Sequence, residues 1–235
     1  MYKVLKPLIE RKIPYAMVFG NHDDEGSLNR AELMDLTNSS NLPYSLSSKG
    51  PEDVDGFGNY EIVFKGNDNN KKLIIYMLDS HSYSPTKSFR YDWFKESQKD
   101  YVKALESSHK NSLNALRMAF FHIPMIEYRD IYQLDPEQYQ GKRLETIVSP
   151  NINTHICWKL ISVGHDHAND FCFNKDDITL CQGGGCGYGG YGGYGGYLRR
   201  IRMFEIDLEN NSIASWKRTD NQLDEIVDYY IYNIK

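Results

Sequence analysis

The 235-residue sequence lacks several features that mark specialised classes of protein. It has no long apolar run and its mean hydropathy is −0.59, so we expect no transmembrane helix. The first residues, from Met1 to Ile9, contain no apolar stretch followed by a small-residue cleavage site, so no signal peptide is visible. These absences predict a cytoplasmic protein without a membrane partner.

The sequence also lacks an excess of positive charge. Its formal net charge is −5 and its isoelectric point is about 5.8, which argues against nucleic acid held by bulk electrostatics. Phosphate-bearing substrates are compatible with this balance, because bound metal ions supply positive charge locally.

Cysteine is scarce, and the spacing of the four cysteines, at positions 157, 172, 181 and 186, fits no zinc finger or ribbon. Cys172 and Cys181 lie in neighbouring predicted strands and would pair in an oxidising compartment. The tendency of free cysteine to be buried favours the other interpretation, in which all four are reduced thiols.

The apolar pattern predicts a single α/β domain with a well-buried core. We expect helices over residues 2–11, 27–36 (capped by Ser27) and 91–107, and a loop over 37–58. Strands are predicted over 15–19, 60–65, 72–79, 116–121, 160–163, 169–174, 178–182, 198–208 and 212–219. Helices and strands alternate first and hairpins follow, which indicates a sandwich of two sheets flanked by helices. This domain spans 1–221, and 222–235 is a C-terminal tail with a predicted helix over 222–233.

Three of the predicted strands end in side chains that commonly bind metals. Gly20 is followed by Asn21 and His22, the strand 116–121 ends at His122, and Gly164 is followed by His165-Asp166-His167. The amide oxygen of Asn adds a neutral ligand, and two His residues separated by one position can reach one ion or two adjacent ions. Each cluster alone also fits a polar turn that caps a strand, but three such turns in one chain favour a shared metal site.

The order Asn-His, His, His-x-His resembles the calcineurin-like metallophosphoesterase superfamily. Longer strings resemble one branch of it, the plant purple-acid-phosphatase-like proteins and the fungal phosphatase Dcr2. These strings are 13–14 with 20–23, 78–80, 91–93 with 97–98, 121–124, 164–170 and 187–192. The resemblance extends to about residue 207 and implies a metallophosphoesterase-type β-sandwich that hydrolyses phosphomonoesters.

The resemblance also implies a role for each matching residue. Asn21, His122 and His165 would bind one metal ion and His167 the other, with Fe, Mn or Zn as the ions. His22 would contact the phosphoryl group and assist the leaving oxygen. The substrate would be a phosphoprotein or a small phosphomonoester.

Two motifs that precede these in the family, Asp-x-His and Gly-Asp, have no counterpart before Asn21. They supply most ligands of one ion and the carboxylate that bridges both. We therefore expect the first strands of the fold to be missing and this exact chain to bind metal and catalyse weakly. Two interpretations fit: an incomplete version of a longer active enzyme, which the intact His22 favours, or a catalytically dead scaffold that binds a partner.

A glycine–tyrosine run occupies residues 183–197, with ten Gly and four Tyr. The resemblance assigns part of it, Gly187, Tyr188, Gly189, Gly190 and Tyr191, to a loop on the substrate side of the pocket. A surface linker and an RNA-binding or self-associating segment are the alternatives, and the negative net charge argues against RNA. Asp79 is expected to cap the end of its strand, and the acidic residues 52–55 to lie in a solvated loop.

Overall fold

The computed structural model describes residues 2–66, 72–87, 90–112, 115–149, 158–188 and 198–233. Within them lie three α-helices, α1 (Tyr2–Glu10), α2 (Arg30–Thr37) and α3 (Glu96–Ser108), and two 3-10 helices, Ile126–Gln133 and Pro136–Gln138. The strands are β1 (Tyr60–Lys65), β2 (Lys72–Met77), β3 (Leu116–Phe121), β4 (Tyr139–Gln140), β5 (Leu160–Val163), β6 (Cys172–Lys175), β7 (Ile178–Gln182), β8 (Arg200–Asp207), β9 (Ser212–Thr219) and β10 (Gln222–Asn233). No described helix is long and apolar enough to cross a membrane.

The strands form a mixed seven-stranded sheet, in the order β1-β2-β3-β5-β7-β6-β4, and a three-stranded sheet, β10-β9-β8. The four central strands, β2, β3, β5 and β7, run parallel. Parallel strands are usually covered on both faces, which explains why β5 is buried at every position. Their carboxyl ends meet at one edge of the sheet, where ligands bind in open α/β sheets.

The two sheets pack face to face, as the sequence predicts. Leu73, Met118 and Leu160 of the large sheet share an apolar cluster with Ile213 and Tyr232 of the small one. The opposite face of the large sheet packs against α3 and the first 3-10 helix, through residues such as Val102, Tyr128 and Ile131. The molecule is therefore the predicted α/β sandwich with helical cover.

Two helices begin later than the sequence predicts. Helix α2 is capped by Asn29 rather than Ser27, because the Asn29 side chain accepts from Glu32 N at 3.0 Å while the Glu32 carboxylate accepts from Asn29 N at 2.9 Å. Helix α3 starts at Glu96 rather than Tyr91, since Tyr91 pairs instead with Tyr83 in an isolated β-bridge.

The segment 15–19, predicted to be a strand, forms only one bridge, between Tyr15 and Ser45. Further along it, Met17 N donates to the hydroxyls of Ser47 and Tyr60, each at 3.1 Å. Side chains thus satisfy a backbone group that a neighbouring strand would otherwise bond. The segment runs extended toward Asn21 without forming a ladder.

The predicted helix at 222–233 is wrong, because these residues form strand β10 on the edge of the small sheet. The apolar residues Leu223, Ile226, Val227 and Tyr230 have the spacing of a helix. In the structure, the pairing of β10 with β9 contains two register shifts, and these interrupt the two-residue alternation that a regular strand would show. The segment is rich in aromatic and β-branched residues, which favour strands.

The prediction of reduced thiols is wrong for one pair, since Cys172 and Cys181 form a disulfide. The hairpin of β6 and β7 places them directly opposite each other, with Cα atoms 4.2 Å apart. Cys186 is free and exposed. Cys157 lies outside the described residues.

Candidate metal and phosphate site

Three distant segments converge at the carboxyl ends of the central strands. Asn21 is buried, and its Oδ1 lies 2.8 Å from His122 Nε2, directly beyond the end of β3. His122 and His165 follow the adjacent strands β3 and β5, and the centroids of their rings are 5.3 Å apart. The structure therefore brings together the amide and the two imidazoles that the sequence singled out as ligands of one ion.

Two glycines allow this close approach. A Cβ atom on Gly20 would lie 3.1 Å from His122 Cε1, and one on Gly164 would lie 3.1 Å from His122 Nδ1. Both distances are tighter than most real contacts of a Cβ atom. The His122 ring thus fits between two loops that larger residues would push apart.

His165 is held in an uncommon conformation by its neighbours. Its φ is 68°, in the left-handed region. Its Nδ1 lies 3.2 Å from Asp166 Oδ1, and Gln182 Nε2 donates to the other oxygen of Asp166 at 2.7 Å. This chain of contacts is typical of the acceptors that orient a metal-binding imidazole.

Two buried polar atoms at the centre of the site, His165 Nε2 and Asn21 Nδ2, have no hydrogen-bond partner within the part of the chain that the structure describes. Buried polar groups are nearly always satisfied, and exceptions often mark functional positions. Because His165 Nδ1 is already engaged with Asp166, the ring retains a free nitrogen for a ligand.

Burial lowers the pKa of His122 to about 3, and the nearby His165, His167 and Arg30 act in the same direction. The pKa of His167 is lowered too, first by burial, although the Glu145 carboxylate opposes that effect. Both imidazoles are consequently neutral near pH 7, which is the form that binds metals.

His22 differs from its neighbour Asn21 in that its side chain is about half exposed. Its Nδ1 lies 2.7 Å from Glu25 Oε1, and the hydroxyl of Tyr83 is 3.5 Å from the same nitrogen. A carboxylate only accepts, so Nδ1 donates to Glu25 and Nε2 remains available. His22 therefore lies at the open side of the site, beside the buried cluster.

Arg30 anchors the loop that carries Asn21 and His22, a role that the sequence did not reveal. It donates to Gly20 O at 2.7 Å, to Asp79 Oδ1 at 2.9 Å and to Asp24 Oδ2 at 3.2 Å. Asp79 is almost fully buried and also accepts from the backbone N–H groups of Phe57 and His81, so it does cap its strand.

His167 is half-buried on the same loop as His165, and Glu145 lies near it. The Glu145 carboxylate accepts from Ala168 N, next to His167. The sequence offered no signal for Glu145, because the segment that carries it is irregular. Of the two carboxylates that raise the pKa of His167, Glu145 has a larger effect than Asp166.

Of the proposed substrate-side loop, only Gly187 and Tyr188 are described. The Tyr188 ring is exposed, contacts the Arg199 guanidinium at 4.6 Å, and its hydroxyl lies 3.3 Å from Asp220. Arg199 precedes β8 and Asp220 follows β9, so Tyr188 contacts residues that flank the strands of the small sheet. The prediction for Gly189, Gly190 and Tyr191 concerns residues outside the described part.

The donor chemistry fits one ion better than two. One amide oxygen and two imidazoles converge on one place, and His165 Nε2 has no hydrogen-bond partner there among the described residues. In the described ranges, no group of three or more His, Cys, Asp or Glu side chains is arranged to hold a metal. The bridging carboxylate of a two-ion centre is thus not found among these residues.

No family model matches the sequence, but several known proteins are similar to it. "Phosphatase DCR2" of Saccharomyces cerevisiae is 41% identical over 252 residues, which cover 97% of this chain. "Probable inactive purple acid phosphatase 14" of Arabidopsis thaliana is 35% identical over 94% of this chain, and "Probable inactive purple acid phosphatase 29" is 33% identical over the same share.

The chain is similar, over almost its whole length, to members of the metallophosphoesterase branch that the sequence resembles. It spans 43% of the length of the yeast relative and 64% and 65% of the two plant relatives. The names within the branch include both a phosphatase and proteins called probably inactive. The metallophosphoesterase-like sandwich is accordingly a phosphatase-family scaffold.

Proposed function

We propose that this chain takes part in the metal-dependent hydrolysis of phosphate monoesters. The observation that carries the proposal is the convergence of Asn21, His122 and His165, with unpartnered buried atoms on Asn21 and His165. The similarity to a protein named as a phosphatase adds support for a phosphate-ester substrate. We expect this to be a phosphoprotein or a small phosphomonoester, and neither nucleic acid nor membrane as a partner.

Asn21, His122 and His165 would hold one ion, and His167 would contribute to a second. Iron, manganese and zinc all accept such nitrogen and oxygen ligands. A bound ion would supply a hydroxide at neutral pH and neutralise phosphoryl oxygens. The burial that keeps His122 and His167 neutral supports this assignment, because protonated imidazoles bind no metal.

His22 would contact the phosphoryl group and donate a proton to the leaving oxygen. Its exposed ring lies beside the buried ligands, and Glu25 orients it through Nδ1. Its Nε2 would then face the open side of the site, from which a general acid could reach the leaving oxygen.

A second candidate is a scaffold that keeps the fold and binds a partner without catalysis. Two observations favour it: the described residues provide no bridging carboxylate, and two plant relatives are called probably inactive. Both candidates predict that this chain hydrolyses a generic aryl phosphate slowly at best. Binding of a metal ion and of phosphate therefore distinguishes the two candidates, whereas the rate of hydrolysis does not.

Nuclear magnetic resonance of the imidazoles distinguishes the two candidates. We would add Mn²⁺ and then inorganic phosphate to the chain and follow His22, His122 and His165, with His109 as internal control, since it pairs with Glu61 elsewhere. The phosphoesterase proposal expects the first three to respond, and His22→Ala to weaken phosphate binding without changing ion affinity. A response to neither addition would leave only the scaffold.

A further inference from the structure

A buried cluster of charges surrounds Asp170, at the end of the loop that bears His165 and His167. Asp170, Arg200 and Lys217 are all at least 95% buried. The Asp170 carboxylate pairs with Arg200 Nε through one oxygen and lies 2.9 Å from Lys217 Nζ through the other. Lys217 also pairs with Asp228, so positive and negative groups alternate through the cluster.

The cations of this cluster hold the loop backbone as well as its carboxylate. Arg200 Nη2 donates to Ala168 O at 2.7 Å, one residue after His167. Arg202, also on β8, donates to Asp170 O. The small sheet thus hydrogen-bonds two backbone carbonyls of the loop, which fixes the path of its backbone as well as the position of the Asp170 carboxylate.

The other side of the loop is bonded to the irregular segment 142–145. Asp170 N donates to Lys142 O at 3.0 Å, and Lys142 N donates back to Asp170 Oδ1 at 2.7 Å. Asn169 Oδ1 accepts from the backbone N–H groups of Leu144 and Glu145 at 2.8 and 3.1 Å. Asp170 is therefore the point where the loop, the segment 142–145 and the small sheet are joined.

The loop needs such outside fixing. Residues 164–170 form no regular element, and His165 has a positive φ. Residues in sparsely populated backbone conformations persist only where the surroundings determine them. Ion clusters in protein interiors add little net stability compared with apolar packing, but they can specify one arrangement of the groups they join.

We propose that Asp170, held by Arg200 and Lys217, is a positioning residue that sets the geometry of His165 and His167 from the three-stranded sheet. This inference rests on the proposed metal-dependent function. It adds that ion affinity depends on a cluster that touches no ion and lies on a different sheet from the ligands. A residue that merely stabilised the fold would not alter the imidazoles of the folded protein.

The test compares Asp170→Asn, Arg200→Lys and the charge-balanced double variant Asp170→Asn/Lys217→Met with the unchanged chain. Arg200→Lys keeps a cation but cannot reach both Asp170 and Ala168 O. The matched control is Glu106→Gln on α3, which removes the partly buried carboxylate that pairs with Arg117, away from the loop. Mn²⁺ affinity is measured by calorimetry, folding by circular dichroism, and the imidazoles by nuclear magnetic resonance.

We expect the folded loop variants to lose about tenfold in Mn²⁺ affinity, as for groups that orient metal ligands, and to shift the His165 and His167 signals. Glu106→Gln should change neither quantity. Folded variants with unchanged affinity and unchanged signals would overturn the inference, and if a single variant fails to fold, the double variant decides. If the unchanged chain binds no Mn²⁺, the proposed function fails, and the imidazole signals alone then support or overturn the positioning role.

Discussion

Asn21 and His122 are 101 residues apart in sequence, yet Oδ1 of the first lies 2.8 Å from Nε2 of the second. Each follows an apolar segment that ends at the same edge of the sheet. Their contact shows how this fold collects polar side chains from separate stretches into one buried cluster. The predictions below test what holds that cluster and what it binds.

Gly20 should be intolerant of a methyl group. In Gly20→Ala the new Cβ would lie 3.1 Å from the His122 ring, so the ring or the loop must shift. We expect a loss of about 1 kcal/mol in the free energy of unfolding, from overpacking, and a weaker affinity for Mn²⁺. Denaturant unfolding and calorimetry measure the two.

Gly26→Ala is the matched control, because a Cβ at Gly26 would have no atom of the described residues within 4 Å. Its stability should stay within about 0.5 kcal/mol of the unchanged chain. Equal behaviour of the two variants would show that Gly20 is not packed against His122.

Burial of His122 should make the metal-free chain less stable in acid. Its pKa falls from the ordinary 6.5 to about 3, so the unfolded chain takes up this proton at a higher pH than the folded one. The stability that the neutral His122 contributes to the folded state is fully present above pH 6.5, and it is lost as the pH falls toward 3.

Urea unfolding between neutral and acid pH, with a chelator present, measures this loss. Other groups titrate over the same range, so the comparison is with His122→Asn, which should lose less stability on acidification. If the free energy of unfolding fell equally with pH in the two chains, the result would argue against a buried neutral His122.

Arg30 should be a structural anchor of the site. Arg30→Met leaves the Asp79 carboxylate buried without its cation and releases Gly20 O. We expect a loss of about 3 kcal/mol in stability, as for the removal of one partner from a buried pair. Lys49→Met removes an exposed pair with Asp35 and should cost less than about 1 kcal/mol. Similar losses of stability in both variants, measured by thermal unfolding, would refute the structural role of Arg30.

The cap of α2 gives a direct check on the corrected helix start. Asn29→Ala removes the side-chain oxygen that accepts from Glu32 N, while the Glu32 carboxylate can still accept from the backbone N–H of residue 29. The loss should be about 1 kcal/mol in the free energy of unfolding. Ser27→Ala, at the position that the sequence pattern favoured, should be close to neutral. The opposite order of the two losses would place the start of the helix where the sequence predicted it.

The sequence was sufficient where a residue's environment follows from its immediate neighbours. Mostly apolar runs, interrupted only by Arg117 and Ser162, predicted β3 and β5 to the residue, because strands buried on both faces need no alternation. The ends of these runs also located His122 and His165. The pattern failed at β10, since spacing that suits a helix also suits a strand with register shifts.

Residues whose role depends on distant partners could not be predicted. Arg30 and Glu145 carry no local signal, and their positions follow from contacts with residues far along the chain. Asp170 lies in the string 164–170, but its partners Arg200 and Lys217 could not be predicted. The disulfide was a similar case, because the spacing of Cys172 and Cys181 allowed it without requiring it. Only the register of the hairpin made the pairing apparent.

The most direct test of the central claim is calorimetric titration of the chain with Mn²⁺, repeated for His122→Ala, His165→Ala and His109→Ala. We predict that the chain and His109→Ala bind the ion alike and that both site variants lose at least about tenfold in affinity. Equal affinity in all four proteins, or no binding by the unchanged chain, would contradict the assignment of Asn21, His122 and His165 to a metal site.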